Sequence, residues 1–367
     1  MLVDRYEAGA DLRSKGQKAM QTTMDDATAA AMERLELCFS GPDCDWTRFY
    51  QPKDDSMAMG RRYQLIYSAL GHFVELNRDP SRADKLRPQL DTIYRGLLDE
   101  RCWVYWHSWQ EEKTWPLQKG NLTYAGRLAT FVGFYIDAFG APPADQIELD
   151  GQSTTYNDLS RNIWKQASES ASCGMSCFNN VSMLQCNAHM LINNVLHDRL
   201  FETKFSAANA DWLSTVEDHL LCDEETGSMF YFGTQPNKAA ANVAKRAVGT
   251  DIWALFLMSG IVPERVSDWF ESWQRNLVFE GDVAHVQVDE LEPEEESSTN
   301  ELASSWAYCL AKELGQADRA EQLRRYLAPR AVKGFEIDPF TTGLFLMGEH
   351  LEKGAFHSLI NGVTRTP

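Results

Sequence analysis

Three cysteines, Cys173, Cys177 and Cys186, fall within the stretch SCGMSCFNNVSMLQCNAHML at 172–191, beside Asn179, Asn180, Asn187 and His189. Thiols so placed can bind metal, close a disulfide, pack as small hydrophobes, or move protons. Structural zinc calls for two pairs of close ligands. Cys173 and Cys177 supply one pair and no second appears, so no metal is expected. A Cys173–Cys177 disulfide would close a very small loop and needs an oxidising compartment. Inert packing and chemistry stay open. A thiol near a carboxylate or at a helix N-terminus gives or takes a proton with a tunable pKa, and as thiolate it is a nucleophile. Cys186 opens the segment CNAHMLINNVL, where the unpaired N–H groups of a helix start would favour a thiolate. Asn187 and Phe178, the neighbours of Cys186 and Cys177, are candidate substrate contacts.

A second cluster is aromatic. CWVYWHSWQEEKTW, at 102–115, holds four tryptophans, Tyr105 and His107. Aromatic faces stabilise cations, which would suit a carbocation-like intermediate with Trp106 as a wall. Aromatic packing between helix layers accounts for the same stretch. His107 is either a proton carrier for the site or a hydrogen-bonded surface group. Tyr231, in the apolar run SMFYFG, and Asp251, close to Lys245 and Arg246, complete the candidate contacts. A charged pair on an inner helix would also explain Asp251.

The elements that must position these residues are helical. Apolar residues recur at three and four positions along about twelve segments separated by Gly, Pro, Asn and Asp clusters. Segments 122–140 and 247–260 are apolar almost all round, whereas 82–100 and 316–327 carry a charged face. That alternation predicts buried and surface helices, and with them an all-α (α/α)6 barrel, an inner ring wrapped by an outer one. Its active site would sit at the end where the inner helices begin. SMFYFG at 228–233 predicts a small β-hairpin insertion, residues 1–20 an N-terminal arm, and 284–299 an acidic exposed loop. No linker or repeat divides the chain, so a single domain over 1–367 is expected.

With 367 residues, 44% of them hydrophobic, the chain can bury a large core, and its formal charge of −18 argues against nucleic acid as partner. No stretch reaches the length of a membrane span or signal peptide. A cytoplasmic protein with mostly free thiols is the expectation.

Cys177, then Gln185-Cys186-Asn187 after eight intervening residues, followed by an apolar helix closing in HDRLFETKFSAANADWL, resembles the linalool dehydratase/isomerase family. NLTYAGRLATFVGFYIDAFG upstream, and DEETGSMFYF, TDIWALFLMSGIVPE and ELASSWAYCLAKELG downstream, have family counterparts in the same order, so the resemblance runs from about residue 32 to 355. It implies an α/α barrel that adds and removes water on a small terpene alcohol without a metal or other cofactor. It also implies active-site roles for Cys177 and Cys186, an acid at Glu36 where the family has Asp, and a pocket tyrosine at Tyr124. A homo-oligomer is implied too, since pentamers occur in the family, and Cys44 and Cys102 align with a disulfide pair. Arg127 stands where the family has its catalytic His, and one family Tyr falls near Gly249. Arginine is a permanent cation that holds an oxygen and does not carry protons at neutral pH.

The expectation that follows is a metal-independent lyase, isomerase or cyclase acting on a hydrophobic, oxygenated natural-product intermediate. Glu36 would be the acid, Cys177 and Cys186 the proton relay, and Arg127 the anchor of a substrate oxygen, with Trp106, Tyr124 and Phe178 as walls. Two rivals stand beside it: a carbohydrate-active α/α toroid, which would need two carboxylates across a glycosidic bond, and a non-catalytic terpenoid or lipid binder.

Overall fold

The computed structural model describes residues 26–50, 59–109, 114–170, 174–177, 181–219, 232–234, 248–288 and 299–362. Fourteen α-helices run through them: α1 (26–39), α2 (Met59–Arg78), α3 (Ala83–Leu98), α4 (Tyr105–Trp109), α5 (Leu122–Phe139), α6 (Tyr156–Ser168) and α7 (Leu184–Phe201), then α8 (Asn209–His219), α9 (Val248–Ser259), α10 (Pro263–Trp273), α11 (Asn300–Glu313), α12 (Ala317–Lys333), α13 (Phe340–His350) and α14 (Ala355–Asn361). The short α4 and α14 carry too few turns for a periodic signal, and the sequence pattern does not anticipate them.

Helix packing closes a ring. α2 packs on α5, α5 on α7, α7 on α9, α9 on α11, α11 on α13, and α13 back on α2. Composition explains why these six lie inside. α9 is buried over all of its residues from Val248 to Ser259, and α5 from Leu122 to Tyr135. The outer helices bury only a stripe: α3 uses Leu86, Leu90, Ile93 and Leu97, at spacings of three and four. An outer helix returns the chain between successive inner ones, so all the inner helices start at the same end. The expected (α/α)6 barrel is the observed one.

The seam between α2 and α13 depends on missing side chains. A Cβ on Gly343 would lie 2.8 Å from Ser68 Cα, and one on Gly71 would lie 3.1 Å from Gly343 O. Any side chain at Gly343 would push the two backbones apart, because no flexible group is there to yield.

The strands are small antiparallel pairs, and the hairpins lie elsewhere than at the run the sequence suggested. β1 (Ile147–Leu149) pairs with β2 (Gln152–Thr154), and β5 (Leu277–Glu280) with β6 (Val283–Val286), both as tight hairpins. β4 (Phe232–Thr234) pairs with β3 (Val181–Met183), a distant partner, so SMFYFG does not form a hairpin on itself within the described residues. The acidic loop does not begin at 284: Ala284, His285 and Val286 are buried strand residues of β6. Residues 1–20, Phe178, Tyr231, Lys245, Arg246 and 289–298 lie outside the described residues. No helix among the described residues is long and apolar enough to cross a membrane.

Candidate active site

The inner helices begin at one end of the barrel, and a group of buried polar residues lies there. Arg62 and Tyr63 come from α2, Thr123 and Arg127 from α5, Cys186 from α7 and Trp253 from α9. Arg127 is fully buried. Its Nη1 donates to Thr123 O at 2.8 Å and to Cys186 Sγ at 3.6 Å. Its guanidinium carbon lies 4.4 Å from the ring centroid of Tyr63 and 5.3 Å from that of Trp253, so two aromatic faces share the charge. Among the described residues, Nε and Nη2 of Arg127 have no hydrogen-bond partner. Burial works against its charge, but Tyr67, Cys186 and Tyr63 around it more than compensate and hold the guanidinium protonated.

Cys186 is the third residue of α7, where helix N–H groups favour negative charge. Burial raises its thiol, yet the hydrogen bond from Cys177 and the charge of Arg127 outweigh burial and bring it down to about 6. Cys177 moves the other way. Burial, the hydrogen bond it gives to Cys186 and the charge there hold its thiol well above the ordinary value. Two cysteines thus form one protonated and one deprotonated partner, the arrangement that separates an acid from a base.

Asn187 fixes the loop that carries Cys177. Its Oδ1 accepts from Met175 N at 2.8 Å, and its Nδ2 donates to Ser182 Oγ and Met183 O, both at 2.9 Å. Met183 N–H then points at Cys177 Sγ, 3.2 Å away. Gly174 lets this loop lie flat, since a Cβ there would come within 2.5 Å of the Trp212 ring. Asn187 is therefore a positioning residue, its amide hydrogens already engaged by protein.

Below Arg127 runs a chain of hydrogen bonds of fixed direction. Trp253 Nε1 donates to Tyr67 Oη at 2.7 Å, and Tyr67 Oη lies 2.8 Å from His189 Nε2. Thr130 Oγ1 donates to Gly126 O, so it accepts from His189 Nδ1, 3.2 Å away. Nε2 is then the bare nitrogen and accepts from Tyr67. Burial and then the charge of Arg127 push His189 well below its usual pKa and keep it neutral. Trp306, 5.7 Å from Trp253, and Phe340, stacked 5.1 Å from Tyr67, extend an aromatic floor.

The candidates read from the sequence divide. Cys177, Cys186, Arg127 and Asn187 come together. Glu36 does not: it sits on outer helix α1, half exposed, with Oε2 3.5 Å from Lys85 Nζ. Its neighbours on α2 are Gly71, His72 and Glu75, several turns beyond Tyr63 toward the opposite end of the barrel. Tyr124 is buried between layers and gives its hydroxyl to Leu97 O at 2.7 Å, so it does not line the site. Trp106 is buried with Nε1 donating to Thr114 Oγ1 at 3.1 Å. The wall from that stretch is Tyr105, whose ring centroid lies 4.4 Å from the Arg62 guanidinium carbon. His107 is away from the thiols, 3.1 Å from Asp150 Oδ2. Asp251 is fully buried in the first turn of α9, but two residues before Trp253 and so on the opposite side of that helix. Phe178 and Tyr231 lie outside the described residues. Cys44 and Cys102 are free thiols, bonded to the carbonyls of Thr92 and Gly96 at 3.5 and 3.2 Å. Among the described residues no three His, Cys, Asp or Glu side chains group as metal ligands.

Arg62, Tyr63, Tyr67, His189 and Trp253 escaped sequence reasoning. A signal was there for the first three: RRYQLIY at 61–67 sets an arginine and two tyrosines four apart into an otherwise apolar helix face.

The family model for linalool dehydratase/isomerase matches residues 62–336. The chain belongs to the linalool dehydratase/isomerase family. The matched span contains the paired cysteines and Arg127 and begins after Glu36. Among solved structures, a Salmonella enterica protein described as a possible member of the GH105 family superposes with a TM-score of 0.54 at 10% identity, covering 92% of this chain and 95% of that one. The GH76A α-1,6-mannanase from Salegentibacter sp. HEL1_6 gives 0.49 at 12% identity, covering 93% and 100%. At such identity the GH105-like structure speaks for the fold alone. Membership in the linalool dehydratase/isomerase family places the chain among proteins named for a lyase and isomerase activity.

Proposed function

We propose that the protein is a lyase or isomerase that moves protons on a hydrophobic, oxygenated intermediate of terpenoid or prenylated type. The observation that carries this reading is the buried Arg127–Cys186–Cys177 group, in which the guanidinium lies 3.6 Å from Cys186 Sγ and the interaction between the two thiols sets them apart as acid and base. In the dehydration direction the Cys177 thiol gives its proton to the departing hydroxyl, the C–O bond breaks and water leaves. The Cys186 thiolate takes a proton from the neighbouring carbon, and the C–H electron pair becomes the new C=C bond. A proton passing from Cys186 to Cys177 along their hydrogen bond restores the pair. Addition of water at another carbon of the same allylic system would give isomerisation. Arg127 holds a substrate oxygen through Nε and Nη2, and the rings of Tyr63, Tyr105 and Trp253 face the electron-poor carbon.

The test is incubation with a panel of prenyl and terpenoid alcohols in deuterated water, read by mass spectrometry. Loss of water or uptake of deuterium that disappears in both Cys186→Ser and Cys177→Ser is the expected result. Full turnover in either variant would refute the mechanism. Cleavage of a glycosidic bond by the double variant would point to the carbohydrate-active rival.

A further inference from the structure

Two cations are buried at this end of the barrel. Arg62, like Arg127, is fully buried. The two meet at Thr123: Arg62 Nε and Nη2 donate to its carbonyl and hydroxyl at 3.0 and 2.8 Å, and Arg127 Nη1 donates to the same carbonyl. Both guanidinium groups lie against the ring of Tyr63, at 4.7 and 4.4 Å from its centroid. Among the described residues, Arg62 Nη1 and Arg127 Nε and Nη2 meet no hydrogen-bond partner. Among the described residues neither arginine is paired with a carboxylate. Removing an unbalanced charge from water is strongly unfavourable. Among the described residues the Cys186 thiolate balances one of the two charges, which leaves one.

The molecule itself shows what the Nε–Nη2 edge of an arginine takes. Arg324 presents that edge to Glu349, Nε to Oε1 and Nη2 to Oε2, each at 2.6 Å. Arg127 carries the same edge without a partner, and a carboxylate offers two coplanar oxygens at the matching spacing. A single negative charge closes the balance; a doubly charged phosphate would exceed it.

We infer that this site binds an apolar carboxylic acid as its anion, with the carboxylate on the Nε–Nη2 edge of Arg127 and Arg62 Nη1 beside it. The inference rests on reading this site as the substrate site and narrows its substrate class from oxygenated to anionic. The carboxylate is then the anchor, separate from the hydroxyl that leaves.

Calorimetric titration of the full-length protein with geranate and with its methyl ester tests it. The acid should bind at least about tenfold more tightly than the ester, as a charge-assisted bidentate contact replaces a neutral one. Arg127→Met and Arg62→Met should each shrink that ratio sharply, while Arg62→Lys should keep part of it. Equal affinity for acid and ester in the wild type, or absence of binding by the acid, overturns the inference without recourse to any variant. So does a ratio that survives both methionine substitutions. Because the ratio is read without turnover, acid preference in a protein that converts no substrate would uphold this inference while the lyase reading fell.

Discussion

Replacing Arg127 by methionine keeps much of its volume and removes the charge that, with the hydrogen bond from Cys177, holds Cys186 as thiolate. The fall of Cys186 from 9.0 to about 6 corresponds, at about 1.4 kcal/mol per tenfold change, to about 4 kcal/mol of net preference for the thiolate. At pH 7 a thiol of that kind is about nine-tenths deprotonated. Without the guanidinium, burial is opposed only by the hydrogen bonds from Cys177 and Thr123, so the thiol moves up from about 6 and its thiolate fraction at pH 7 falls. The assay is the ultraviolet absorbance of thiolate against pH, with Cys186→Ser subtracted as baseline. Wild type should titrate near pH 6 and Arg127→Met at a higher pH. Stability carries the same sign: a group whose folded value lies below its unfolded one stabilises fully above the unfolded value and loses that contribution as pH falls through the folded one. Wild type should therefore weaken as pH drops from about 9 through about 6, and Cys186→Ser should lack that dependence. A wild-type midpoint that persists in Arg127→Met would refute the assignment of Arg127 as the cause.

Other substitutions probe the frame. Gly343→Ala sets a Cβ 2.8 Å from Ser68 Cα and should cost about 1–3 kcal/mol in denaturant unfolding, because the α2–α13 seam must open. Asn187→Ala frees the Cys177 loop and should cost about 1–3 kcal/mol while speeding alkylation of Cys177, read by peptide mass spectrometry; unchanged alkylation would contradict the clamp. Tyr67→Phe strands Trp253 Nε1 and His189 Nε2, a loss of about 1–3 kcal/mol in thermal unfolding. Glu36→Gln, on an exposed pair with Lys85, should change stability by under about 1 kcal/mol and leave turnover as in wild type; loss of turnover would restore Glu36 to the mechanism.

The barrel was legible because its signal is local and repeated. Each helix announces itself through spacing, and the contrast between segments such as 247–260 and 82–100 already sorts inner from outer. The cysteine pair was legible as well, through its motif. Glu36 misled because the match that selected it was positional: a carboxylate on α1 points where its helix turns, and that helix lies outside the ring. Tyr124 misled in a different way. It belongs to the right turn of α5, but its hydroxyl reaches the end of α3 at Leu97 O, a contact no one-dimensional pattern contains.

Periodicity and composition thus determined from sequence alone that the chain winds as alternating buried and exposed helices, since these properties depend on neighbours a few residues away, while the pairing of Cys177 with Cys186 came from the family resemblance. The chemistry at that pair was decided by tertiary structure. Arg62, Arg127 and Cys186 are far apart along the chain and meet because the ring closes, and only their enclosure without a carboxylate partner among the described residues makes the thiolate and the remaining positive charge consequential. Electrostatic energy depends on distance and burial, and both are properties of the closed ring.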